Sequence, residues 1–197
     1  MSVYTNPQRK DFMDTLHDYM FDDIDKAIKE AANYLVALGL STYTENLGGL
    51  YCGDLKNNLG DHYIEFIKKY FPSPYAAVDT KLKTLSKGGL YKVVRCGLVH
   101  EYFMKVESTV TISGVNQASC GIVYDTSKKP SLEFIVDKYF EDFKNAFERY
   151  RDNLLGTIIK PPIKILQTNF DNAINGMPES PFSPSSGLTR ESGRGLP

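Results

Sequence analysis

The sequence predicts a mainly α protein: a bundle of four or five helices with an appended two-stranded β-hairpin and a disordered C-terminal tail. Three observations carry that prediction. Apolar residues recur at three- and four-residue steps over two long stretches, the period changes to alternation between Met104 and Tyr124, and Pro, Ser and Gly dominate from about Met177 onward. With 197 residues, 42% of them hydrophobic, the chain can bury one sizeable core. The expected division is a helical domain over 1–160, with the hairpin at about 103–124, and a C-terminal extension over 161–197 that is disordered from about 177.

Taken in order, a short helix is expected from about Arg9 to Met20. Ile24, Ala27, Ile28, Ala31, Leu35 and Leu38 then form an apolar stripe opposite Asp23, Lys26, Lys29 and Glu30, which predicts an amphipathic helix between Phe21 and Leu40. The Gly-rich segment that follows places Gly48 and Gly53 at P-loop spacing, but Asp54 stands where the phosphate-binding lysine is required. Its glycines suit a turn or close helix packing, and Tyr43, Leu47, Leu50 and Tyr51 can continue an interrupted helix. Asp61 to Phe71 reads as helix up to Pro72, and Gly88 to about Tyr102 as another. Met104, Val106, Val110 and Ile112 alternate with polar residues, as do Cys120 to Tyr124, which gives the two strands. Behind Pro130, with Ser131 available as N-cap, the stripe Leu132, Ile135, Tyr139, Phe143, Phe147, Tyr150 and Leu154 predicts the second long helix, which Pro161 and Pro162 end.

The formal charge of −1 argues against a surface that is one large polyanion footprint, so any such site is local. Lys81, Lys83, Lys87, Lys92 and Arg95 form an acid-free run that ends at His100; it is either a cationic site or a solvated lysine face. Cys52, Cys96 and Cys120 include no C-x-x-C pair and the N-terminus has no apolar signal region, which fits a reducing cytoplasm. The apolar run from Ala31 to Leu40 is well short of the roughly 20 residues of a spanning helix, so no membrane partner is expected. Asp14 with His17, and His62 with Glu65, are i,i+3 pairs that open the alternative of a metal-dependent bundle enzyme. The His-x-x-Glu order of His62 and Glu65 reverses that of di-iron bundles, and salt-bridge or capping roles compete for both pairs. No cysteine and histidine spacing suggests zinc, and no cofactor is implied.

The most informative segment is LYKVVRCGLVHEYF, which carries R-x4-H-x-Y as Arg95, His100 and Tyr102. A permanently charged guanidinium and an imidazole that titrates near neutrality can bind a phosphodiester and move a proton at it. On a straight helix His100 lies about 140° from Arg95, whereas Tyr102 shares the Arg95 stripe at about −20°. A compact site therefore needs a bend near Val99 or a second copy packed by two-fold symmetry. The bland alternatives are an Arg95 paired with Glu101 or with a carboxylate on the long C-terminal helix, a hydrogen-bonded His100 at a helix end, and a Tyr102 that packs with its hydroxyl wet.

R-x4-H on a late helix of a small bundle resembles the HEPN superfamily, whose nuclease members are homodimeric endoribonucleases that need no metal. The extended R-x4-H-x-Y is similar to HEPN toxins paired with minimal nucleotidyltransferase antitoxins. The resemblance implies that Arg95 neutralises the scissile phosphate, that His100 transfers protons, and that Tyr102 is the tyrosine the partner enzyme adenylylates. Lys87, Lys92 and Tyr102 would assist RNA binding. It implies attack by the RNA 2′-hydroxyl and a 2′,3′-cyclic phosphate product. The position after Arg95, often polar in active members, is Cys96, which keeps open a non-catalytic dimeric binding or scaffold module. Burial of both Arg95 and His100 against carboxylates within one subunit would defeat the nuclease reading.

Overall fold

The computed structural model describes residues 3–85, 87–102, 104–112, 118–127, 129–156 and 163–177. Its helices are α1 (Asn6–Lys29), α2 (Asn33–Cys52), α3 (Leu59–Tyr70), α4 (Ser73–Thr84), α5 (Cys96–Glu101), α6 (Val136–Leu155) and α7 (Ile163–Asn175); a π-helical turn, Tyr91–Arg95, leads into α5. The protein is mainly α, with one small sheet. Residues 113–117, between the two expected strands, and the expected disordered tail from 178 onward lie outside the described residues.

The first two predicted helices are redistributed. Thr5 caps α1 in a capping box with Gln8, so the helix starts before Arg9 and continues through Phe21 to Lys29. It stops where no Gly or Pro announces a stop. Ala32 N–H donates to Ala27 C=O and Ala31 N–H to Ile28 C=O, the paired bonds of a Schellman motif, with Ala31 in the left-handed position at φ 54°. The stripe from Phe21 to Leu40 thus belongs to two helices, and Leu35, placed on it by the sequence, is exposed. An alanine in that position is strained where glycine is not. Ala31→Gly is accordingly expected to stabilise the fold by about 1 kcal/mol, raising Tm by roughly 2–4 °C in a thermal melt.

Helix α2 is the centre of the bundle. It touches α1, α3, α5, α6, α7 and strand β1, and its only charged residue is Glu45. The Gly-rich segment supplies its C-terminal half and, in Gly53 at φ 92°, its left-handed C-cap. Helix α4 has no counterpart among the predicted helices. Nor has α7, which falls within the expected C-terminal extension but packs on α2 and α6 and buries Leu166, Phe170, Ala173 and Ile174. The bundle therefore does not end at residue 160.

The two-stranded hairpin is corrected to a three-stranded sheet. Strands β1 (Ser108–Thr111) and β2 (Ile122–Asp125) do not pair with each other; β3 (Ser131–Ile135) lies between them in the order β1-β3-β2, parallel to β1 and antiparallel to β2. Ser131 opens a strand rather than capping a helix. Leu132 and Phe134 point into the core and Ile135 passes directly into Val136 of α6 without a loop. The three- and four-residue spacing of Leu132, Ile135 and Tyr139 spans that junction, which is why the strand reads as helix from sequence alone.

Aromatic rings knit sheet to bundle. Tyr139 stacks on Phe134 at 4.8 Å and meets Tyr75 edge-on at 5.5 Å, while its hydroxyl lies 3.0 Å from that of Thr44 and 3.3 Å from that of Tyr63. Burial pushes the Tyr139 hydroxyl up to about 12. The Tyr75 hydroxyl donates to Asp142 at 2.8 Å and accepts from Gly121 N–H at 2.7 Å, so the buried phenol ties α4, α6 and the entry to β2 together.

Candidate functional site

The motif segment is set by the turn before it. Gly88 and Gly89 adopt φ values of 86° and 79°, and the Leu90 N–H then donates to the buried carboxylate of Asp79 at 2.9 Å. Tyr91–Arg95 winds as a π turn, a rare widening of the helix that is frequent at functional sites. Cys96–Glu101 resumes the α form, and Tyr102 ends it in the left-handed region at φ 59°.

Arg95 turns inward. Its Nη2 donates to Glu45 Oε1 at 2.8 Å, and its Nε lies 2.6 Å from Oε2 in an ionic contact off the hydrogen-bonding direction. The two side chains are only 17% and 10% exposed, so the pair is largely desolvated and each charge depends on the other. The Tyr91 ring lies 5.9 Å from the guanidinium carbon. Burial raises the Tyr91 hydroxyl above its ordinary range, as do its hydrogen bond to Glu45 and the charge of that carboxylate. Glu45 also borders a hollow of about 250 Å³ lined by Thr42, Asn46, Lys56, Leu59 and Met177.

Tyr102 and His100 are placed differently. Tyr102 stacks on Tyr34 of α2 with ring centroids 5.9 Å apart and remains 52% exposed. Arg95 and Tyr102 thus both reach toward α2 from one stripe of the motif helix. His100 is exposed on the last turn of α5, away from the Arg95–Glu45 pair. The chain therefore buries Arg95 against a carboxylate but leaves His100 open, and it does not join the two into a single cluster.

The acid-free run is less cationic in space than in sequence. Lys83 pairs with Asp79 at 2.8 Å, Lys81 donates to the Tyr124 carbonyl at 3.3 Å, and Arg95 is offset by Glu45. Lys87 and Lys92 are exposed. Sequence reasoning missed Glu45 and looked for the partner of Arg95 on α5 or α6. The available signal was a lone carboxylate in an otherwise uncharged helix, since such a group must find a counter-charge when buried.

The residues of the metal alternative are engaged elsewhere. Asp14 binds Lys10 at 2.6 Å and Arg151; His17 lies 3.3 Å from Asp18 and edge-on to Phe21; His62 Nδ1 lies 3.0 Å from the Asp54 carbonyl; Glu65 pairs with Lys68 at 2.9 Å. Among the described residues no group of three His, Cys, Asp or Glu side chains is placed to hold a metal ion. Nor, among them, is any helix long and apolar enough to cross a membrane. Comparison of the chain with protein-family models, curated proteins and solved structures finds no match.

Proposed function

We propose that this chain is a HEPN-like endoribonuclease that works as a homodimer in the cytoplasm, without a metal ion, as a toxin or defence component. One observation carries the reading: His100 is exposed at the end of the same short helical segment on which Arg95 is anchored. Beside His100 in the chain, the exposed side chains of Val99 and Tyr102 offer an apolar margin on which a second copy would pack. Two-fold packing over that margin brings two imidazoles to one cleft, with an arginine behind each and Lys92 and Lys87 at its edge.

The chemistry then uses the substrate's own nucleophile. Arg95 holds the non-bridging phosphate oxygens, and the 2′-oxygen attacks phosphorus as its proton passes to a base. The bond to the 5′-oxygen breaks, and the leaving oxygen takes a proton from an imidazolium. The products are a 2′,3′-cyclic phosphate and a free 5′-hydroxyl. The exposed hydroxyl-bearing ring of Tyr102 suits adenylylation by a nucleotidyltransferase antitoxin, in which the phenol oxygen takes the AMP group and pyrophosphate leaves.

The test is incubation of the purified protein with single-stranded and structured RNA in EDTA. Wild type is expected to cut, and His100→Ala and Arg95→Ala to lose about 100-fold or more of that activity while keeping their helical circular dichroism. Activity unchanged in both variants would remove this site. A second reading is favoured by the Arg95–Glu45 pair, which offsets the arginine within one subunit: a non-catalytic dimeric binding module. That protein would cut nothing in the same assay, yet sediment as a dimer.

A further inference from the structure

A guanidinium offers an oxyanion two planar edges, one formed by Nε and Nη2 and the other by Nη1 and Nη2. Glu45 takes the first, with Oε2 2.6 Å from Nε and Oε1 accepting from Nη2 at 2.8 Å. Nη1 and the second hydrogen of Nη2 lie outside that pair. We infer that Glu45 positions Arg95 so that its Nη1/Nη2 edge is presented as a bidentate fork to the two non-bridging oxygens of a phosphodiester, an inference that rests on the ribonuclease reading above.

Three contacts fix the fork. Glu45 lies along one edge, the Tyr91 ring sits 5.9 Å from the guanidinium carbon, and the Tyr91 hydroxyl stands near enough to Glu45 for that carboxylate to raise it. An arginine on an open helix surface samples many rotamers and loses that freedom when it binds; one already held loses little. The grip also explains how an arginine only 17% exposed can act on a substrate: burial covers Nε, while the end of the guanidinium carries the recognition. Because Glu45 offsets the positive charge, selection rests on planar geometry more than on net attraction, and lysine, a point charge, cannot replace it.

The experiment compares wild type, Glu45→Gln, Arg95→Lys, the double variant and Tyr91→Phe. Cleavage of a single-stranded RNA in EDTA gives kcat and KM, binding of the same RNA bearing 2′-O-methyl groups gives affinity, and thermal melting gives the folded state. Glu45→Gln and Arg95→Lys are each expected to lower kcat by about tenfold or more, and the double variant to be no slower than the worse single, because both disable one fork. Tyr91→Phe, which keeps the ion pair, is expected to lose roughly threefold in kcat with its melt unchanged. Should Glu45→Gln fail to fold, Tyr91→Phe decides, and wild-type turnover in it overturns the inference. Independent, multiplying losses overturn it as well, as does faster cleavage by Glu45→Gln, which would mean that the carboxylate competes with phosphate for Arg95. In those cases the ribonuclease reading stands. A wild-type protein that cuts no RNA overturns that reading and the inference with it.

Discussion

Arg9→Ala is expected to cost about 3–5 kcal/mol of folding stability, measured by urea unfolding followed by circular dichroism. Arg9 Nε donates to Asp171 Oδ1 at 2.9 Å and Nη2 to Oδ2 at 2.8 Å, with the two side chains 6% and 9% exposed. The Tyr4 N–H adds a third bond to the same carboxylate at 3.2 Å. Truncating the arginine leaves Asp171 buried without its counter-charge, and that desolvated carboxylate dominates the loss. The pair itself contributes less than its removal suggests, because both ions are desolvated to form it. The double change Arg9→Met with Asp171→Leu is therefore expected to recover most of the stability. A single-variant loss below about 1 kcal/mol would show that the carboxylate reaches water when its partner is gone.

Gly121→Ala has the second large expected effect, a loss of about 3 kcal/mol or more in the same unfolding measurement. A methyl group built on Gly121 would stand 2.3 Å from the backbone nitrogen of Tyr139, 2.4 Å from its Cα and 2.6 Å from its Cβ. Backbone cannot yield as a flexible side-chain tip can, so β2 and α6 must separate. Separation also strains the Gly121 N–H bond to Tyr75 and the Ile135 N–H bond to the Gly121 carbonyl at 2.8 Å. Alanine at the neighbouring exposed Val123 serves as the control, with a change expected within about 0.5 kcal/mol.

Much of the fold was legible because helical periodicity survives wherever one face of a helix is buried. The stripe from Tyr139 to Leu154 marks α6, and the apolar residues around Tyr63 to Tyr70 mark α3. The rest failed for local reasons. The end of α1 rests on a left-handed alanine, which carries no signal in composition. Helix α4 alternates small and polar residues with only Tyr75 and Leu82 as large buried anchors, too few to show a period. Helix α7 lies beyond a Pro-Pro pair that reads as an ending. Strand β3 is five residues long and passes into α6 without a turn, so no punctuation separates the two periods.

The candidate site was legible to a different degree. The three motif side chains share one helical segment, and the shared stripe of Arg95 and Tyr102 follows from 100° per residue. Their partners were not legible, since Glu45 and Tyr34 are fifty and sixty-eight positions away and only tertiary packing brings them near. The apparent positive run likewise ignored Asp79, which stands just before Lys81 in the chain and is buried beneath Gly89.

The seamless passage from β3 into α6 has a mechanical consequence. Where a loop intervenes, a sheet can detach from its bundle and exchange its amide protons independently; here the middle strand and the first turn of α6 are one continuous lever with no slack. The sheet and the long helix should open to solvent together, as one unit of local unfolding, and anything that pulls on β1 or β2 is felt along α6.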